Sequence, residues 1–241
     1  MEWLYYLLLV LVGMGAGFVQ RVSGLGLGIF AMLFLPHFMS SHNASASIST
    51  IFSCVTSGYN AIRYRKNVKY KTVLPMLCAA LVTVPIAVYF SSVVSAKVFK
   101  FLLGAVLIIL SIYFIFFNKR ISIKPTVFNG VLAGSVGGTL NGLFSTGGPP
   151  VVLYLSSALS DNISYFSSIQ FYFCVTNVYS FLMRIINKSI NNEVILYSLI
   201  GIAGCMLGDF IGSKVFDKLD SDKLKKIIYI GMIISGAVMF F

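Results

Sequence analysis

The chain of 241 residues is 58% hydrophobic and only 10% charged, with a mean hydropathy of +0.91, whereas soluble domains carry roughly a quarter of their residues as charges. That balance excludes a soluble globular domain and points to an all-α polytopic membrane protein. The net charge of +11 does not mark a nucleic-acid-binding protein, because the basic side chains cluster in short connections between apolar runs, where they set membrane orientation.

In chain order, the first apolar stretch runs from Trp3 to about Gln20 and is interrupted by Arg21. It continues through the glycine-rich Val22-Ser-Gly-Leu-Gly-Leu-Gly28 into a shorter run from Ile29 to Phe38. This reads as a helix, a glycine break and a second, shorter helix. Glu2 stands where a signal peptide needs basic residues, so the stretch is expected to be a retained span. After the polar link Ser40-Ser-His-Asn43 comes a span from about Ala44 to Ile62, rich in small and hydroxyl residues that let helices approach closely. The loop from Arg63 to Lys71 is the most basic in the chain and is expected in the cytoplasm. Spans from about Thr72 to Val94, kinked at Pro85, and from Val98 to Phe117 then lead to a second basic loop, Lys119 to Lys124. The uncharged run from Phe101 to Phe117 is long enough for a hydrocarbon core of about 30 Å.

The order then repeats. A glycine-stacked helix from Val127 to Leu143 meets Asn141-Gly-Leu-Phe-Ser-Thr-Gly-Gly-Pro-Pro150 and restarts at Pro149, since proline is favoured in a helix's first turn. The restarted piece, Pro149 to Leu159, is about half a bilayer long at 1.5 Å per residue. The link Ser160-Asp-Asn162 precedes spans from about Ile163 to Ile186, Val194 to Val215 and Lys226 to Phe241. A shift of about 121 positions lays Gly13 on Gly134, Gly17 on Gly138, Gln20 on Asn141 and Gly26 on Gly147, and Cys54-Val-Thr56 on Cys174-Val-Thr176. The expectation is therefore about eight membrane spans in two homologous halves, 1–120 and 121–241, each with one glycine-broken helix. In the second half the basic residues move to the final connection (Lys214, Lys218, Lys223, Lys225, Lys226), which suggests an inverted repeat.

Paired interrupted helices are the best sequence pointer to a transporter's substrate site. The candidate substrate-binding residues are Gln20, Arg21, Ser23, Gly24 and Gly26 in the first break and Asn141, Ser145, Thr146, Gly147 and Gly148 in the second. Half-helix N-termini offer unpaired N–H groups and a positive dipole end to an anion, with hydroxyl and amide donors beside them. The glycines at Gly130, Gly134, Gly138 and Gly142, and at Gly201, Gly204, Gly208 and Gly212, lie on single helix faces and read as packing surfaces. Arg21 either pairs with the anion or marks a helix end and snorkels to the interface. Asp209 is the candidate for coupling ion binding, or else pairs with Lys214 near a helix end; His37, beside Pro36, is expected at an interface. The four cysteines lie inside spans without metal or disulfide spacing, so no metal site and no cofactor are expected.

Gly13-Met-Gly-Ala-Gly-Phe-Val-Gln-Arg-Val-Ser-Gly-Leu-Gly-Leu-Gly28, with Gly134-Ser-Val-Gly-Gly-Thr-Leu-Asn-Gly-Leu-Phe-Ser-Thr-Gly-Gly-Pro-Pro150, resembles the twin motifs of the sulfite exporter TauE/SafE family, also called the 4-toluene sulfonate uptake permease family. Leu207-Gly-Asp-Phe-Ile-Gly-Ser-Lys214 is similar to that family's closing pattern. The first motif departs from it, reading Gly-Leu-Gly-Leu-Gly rather than a glycine cluster, with Arg21 just ahead. The resemblance implies a plasma-membrane permease for sulfite, sulfonates or related sulfur-containing or organic anions. A proton or sodium ion is the candidate coupling partner. The rival readings are a cation- or other solute-coupled transporter, which would need more intramembrane carboxylates, and a non-transporting membrane scaffold. Two histidines five residues apart and no nucleophile–base pair argue against an enzyme, and no phosphate-binding loop supports ATP drive.

Overall fold

The computed structural model describes residues 2–23, 26–116 and 123–215, together with residues 230, 233–234 and 236–239 of the C-terminal stretch. Gly24 and the basic side chains Lys119, Arg120, Lys218, Lys223, Lys225 and Lys226 lie outside the described residues. The described residues form helices and no strand: α1 (Glu2–Ser23), α2 (Leu27–Phe38), α3 (His42–Arg63), α4 (Tyr70–Val93), α5 (Ala96–Phe116), α6 (Val127–Phe144), α7 (Gly148–Ala158), α8 (Asn162–Ile186) and α9 (Asn192–Val215), with a 3-10 turn at Arg65–Asn67. Among them, five are long and apolar enough to cross a membrane: α1, α4, α5, α8 and α9. α3 is too polar to join them, although it is just as long.

Several helices start on local chemistry. Ser41 Oγ accepts from Ala44 N at 3.1 Å, Thr126 Oγ1 from Asn129 N at 3.2 Å, Asp161 Oδ2 from Ser164 N at 2.8 Å and Asn191 Oδ1 from Val194 N at 2.9 Å, each satisfying one of the orphan donors of a helix's first turn. Asp161 lies outside the spans, and the Ser164 N–H holds its carboxyl below the usual carboxylate range. α2 begins after Gly26 at φ 112°, a left-handed conformation that glycine adopts freely. α7 opens with Pro149 and Pro150 in its first turn.

α3 is buried along most of its length by small and hydroxyl side chains, among them Ser45, Ser47, Ser49 and Thr50. Several of these hydroxyls donate to the helix's own carbonyls, Thr50 to Ala46 at 2.8 Å and Thr56 to Phe52 at 3.0 Å. A polar sequence can thus sit inside the bundle with most of these hydroxyls bonded, Ser49 Oγ being an exception, and its backbone close to its neighbours.

Helix directions follow from the contacts. α1 runs parallel to α9, because a methyl placed on Gly13 would strike Gly201, one on Gly17 would strike Cys205, and one on Gly212 would meet the Arg21 side chain. α6 runs parallel to α4 in the same way, with Gly134 on Met76, Gly138 on Ala80 and Gly142 on Ala87 and Val84. α3 and α8 are antiparallel, joined at one end by the Tyr64–Phe166 ring contact (5.4 Å) and the Lys69 N to Ser168 Oγ bond (3.0 Å), and at the other by Ser47 Oγ to Ser189 O (3.3 Å). The loop after α3, the start of α6 and the link before α8 therefore share one end of the bundle, which carries Arg65, Lys66, Lys69 and Lys124. Residues 39–41, 94–95 and 187–191 share the other, where Ser40 Oγ donates to Glu193 Oε2 at 3.1 Å. Of the C-terminal stretch, Met239 packs on α5 with Phe99, Leu103 and Leu107.

Candidate functional site

Both glycine breaks reverse the chain, a point that sequence alone leaves open. A methyl on Gly15 of α1 would meet the Phe30 ring of α2, while Gly137 and Gly130 of α6 face Val151 and Tyr154 of α7. Each pair is an antiparallel hairpin, and its close packing needs the small residue. The two tips touch: a methyl on Gly28 would overlap the carbonyl oxygen of Ser145.

Between the tips lies a cavity of about 20 Å³, lined by Gln20, Gly26 and Gly28 from the first hairpin and Asn141, Ser145, Thr146, Gly147 and Gly148 from the second. That is space for the centre of a water molecule or two. Of the sequence candidates, seven thus meet at one place. Ser23 ends α1, and Gly24 is outside the described residues. Ile29, Ser53, Phe173 and Asn177 complete the wall. These four are not among the sequence candidates. Asn177 directly follows the repeated Cys-Val-Thr triplet, and a carboxamide inside an apolar span was a signal that could have found it.

The two halves of the site differ in how their polar groups are used. Gln20 Oε1 accepts from Leu27 N at 3.3 Å and its Nε2 donates to Gln170 Oε1 at 3.2 Å. Gln20 therefore closes the first donor of α2 and has one amide hydrogen and one oxygen lone pair beyond these two bonds. Its counterpart Asn141 is bonded to nothing through Nδ2, and neither Ser145 Oγ, Thr146 Oγ1 nor Asn177 Oδ1 finds a partner in the protein. All four residues are at most 4% exposed. Buried polar groups are almost always hydrogen-bonded, so several unsatisfied ones around a single cavity point to a ligand or ordered water as the missing partner. Ser145 is also held at φ 58°. α7 starts with two prolines that have no N–H, so its first turn offers fewer free donors than usual, that of Gly148 among them.

Arg21 does not line the cavity. Its Nη1 donates to Asn60 Oδ1 and its Nη2 to Tyr64 Oη, both at 3.0 Å, and the guanidinium lies over the Tyr64 and Phe166 rings at 5.7 and 5.5 Å. Asn60 Nδ2 in turn donates to Asp209 Oδ1 at 3.4 Å. Asp209, 6% exposed, thus belongs to a network joining α1, α3 and α9. Lys214 is directed elsewhere, its Nζ 4.3 Å from the Phe210 ring centre, so the alternative Asp209–Lys214 pair does not form. His37 lines an open cleft with Tyr5 and Glu193 at the end of the bundle. Among the described residues no group of three or more His, Cys, Asp or Glu side chains could hold a metal ion.

The cavity wall is thus built from neutral donors and acceptors, in a chain whose described charges lie off it. A family model described as sulfite exporter TauE/SafE matches residues 9–239, nearly the whole chain. No curated protein and no solved structure matches.

Proposed function

The chain belongs to the sulfite exporter TauE/SafE family, and from that premise we propose that it is a secondary transporter of small oxyanions, sulfite or a sulfonate, which bind between the two hairpin tips. The observation that carries this reading is the set of unpartnered Asn141 Nδ2, Ser145 Oγ and Thr146 Oγ1 around one buried cavity. A desolvated oxyanion needs donors to replace its water, and these neutral groups offer them without adding a formal charge. The Gly148 N–H at the start of α7 adds a donor and the positive end of a helix dipole. Alternating access would open the cavity first to one end of the bundle and then to the other.

The architecture behind this is read as two inverted halves with eight long membrane helices: α1, α3, α4, α5, α6, α8, α9 and the C-terminal stretch. In it α1 and α6 turn back through α2 and α7. Support comes from the helix pairing, in which exchanging the halves turns the α1–α9 seam into the α6–α4 seam and leaves α3–α8 as it is. The plasma membrane is the proposed location, with the basic end of the bundle in the cytoplasm. Asp209 is the proposed coupling site, for a proton ahead of sodium, because a single carboxylate with a neutral amide and an arginine nearby is a poor cage for a metal cation.

The test is melting of the purified protein in the presence of sulfite, thiosulfate, sulfate, taurine, sulfoacetate, lactate and sodium, since a ligand of the folded state must raise the melting temperature. One sulfur oxyanion should stabilise the protein. The double variant Ser145→Ala, Thr146→Ala should bind it at least tenfold more weakly, as hydrogen bonds to a charged group contribute about 1.5–3 kcal/mol each. Stabilisation by sodium alone, or by an anion indifferent to the double variant, overturns the reading.

A further inference from the structure

Behind the cavity, α8 carries a row of buried polar side chains on one face: Asn177, Ser180 and Arg184, spaced i, i+3 and i+7. Asn177 lines the cavity, and Ser180 Oγ has no partner. Arg184 is fully buried in the last turn of the helix. It donates from Nη2 to the carbonyl oxygen of Gly142 at 2.7 Å, while Nε and Nη1 have no partner. Gly142 directly follows the cavity residue Asn141, so the guanidinium sits one residue behind the cavity wall. No carboxylate among the described residues pairs with it. The Gly142 carbonyl and the negative end of the α8 dipole offset part of the charge, and neither engages the two free nitrogens.

On the shifts that align the halves, Arg184 falls on Tyr64 and Gly142 falls on Arg21. Each half therefore has one guanidinium bridging the same two loci, reached from opposite helices. In the first half both terminal nitrogens are bonded and Asp209 is linked through Asn60. The second half has the cation without the acid. A buried charge lacking a counter-charge is strongly disfavoured in a membrane interior and marks a functional position.

Building on the anion reading above, we propose that Arg184, with Ser180, is a charged station that binds the transported oxyanion as it passes between the cavity and the end of the bundle carrying residues 187–191. The planar guanidinium presents its donors in a fixed array suited to the oxygens of a sulfite or sulfonate group. Ser180, one turn nearer the cavity, bridges the two positions.

The test is sulfite titration and melting of the purified full-length protein as wild type, Arg184→Gln, Arg184→Lys, Ser180→Ala and the double variant Ser145→Ala, Thr146→Ala. Arg184→Gln is expected to weaken sulfite binding at least tenfold while leaving the ligand-free melting temperature equal or higher, because it removes an uncompensated charge. Arg184→Lys should fall between it and wild type. A lower ligand-free melting temperature in Arg184→Gln with sulfite affinity unchanged would show an arginine that only clamps α6, and would overturn the proposal. Where Arg184→Gln does not fold, Arg184→Lys and Ser180→Ala decide: a two- to fivefold loss of affinity supports the station, and unchanged affinity in both refutes it. Wild-type protein that binds no sulfite fails the sulfite reading itself. Binding lost in the double variant but intact in Arg184→Gln confines the failure to the station.

Discussion

Ser145 concentrates two costs in one residue. Its backbone is left-handed at φ 58°, ψ 28°, a conformation that costs a side-chain-bearing residue roughly 1–2 kcal/mol. Its buried hydroxyl has no partner in the protein, worth about another 1–3 kcal/mol. Glycine would relieve both, so Ser145→Gly is expected to raise the ligand-free melting temperature and to weaken sulfite binding about tenfold. Melting curves and titrations on the same preparation check it, and a variant that melts lower and binds as well would show Ser145 to be purely structural. Strain and an orphaned hydroxyl at one position are characteristic of functional sites, where local rules are broken for a reason. The chemistry of the breaks was legible from residue types alone, but which groups are free was not. Gln20 is bonded because Gln170 stands 150 residues away in sequence, whereas Asn141 has no such neighbour, and no local pattern distinguishes the two.

At the scale of helices, the seam between α1 and α9 leaves no space for side chains. A methyl on Gly208 would overlap the carbonyl oxygen of Met14, whereas one on Gly58 of α3 would meet nothing within 4 Å. Gly208→Ala is therefore expected to destabilise the protein by about 1–3 kcal/mol through forced separation of the helices. Gly58→Ala should stabilise it by roughly 0.5–1 kcal/mol, the usual gain in a helix interior. Melting temperatures of the two variants should move in opposite directions, and a Gly208→Ala protein as stable as wild type would show that the seam opens easily. The positions of the breaks were readable because glycine and proline act on the backbone where they stand. Their reversal was not, because it depends on Phe30 lying against Gly15 and Val151 against Gly137. α3 was expected as a span that packs closely through small and hydroxyl residues; it is not among the five helices apolar enough to cross a membrane, and most of its residues are buried against other helices, where such side chains fit.

Over the whole molecule, each hairpin is backed by a helix from the other half, α1 by α9 and α6 by α4. The directions of these helices put Lys66 and Lys124 at one end and Ser95 and Asn191 at the other. In a background with Cys54, Cys78, Cys174 and Cys205 replaced, single cysteines at Lys66 and Lys124 should react with an impermeant thiol reagent only from the cytoplasmic side, and those at Ser95 and Asn191 only from outside. Labelling of Lys66→Cys and Lys124→Cys from opposite sides would refute the arrangement. The crossed pairing also bears on how the protein is made. α1 is made long before the surface it packs against, which is synthesised about 190 residues later, a delay of roughly 10–40 s at about 5–20 residues per second. For that interval its glycine face, with Gly13 and Gly17, lacks the helix that covers it. The bundle therefore closes only when α9 threads back against α1, and a ribosome that stops before α9 leaves that seam open.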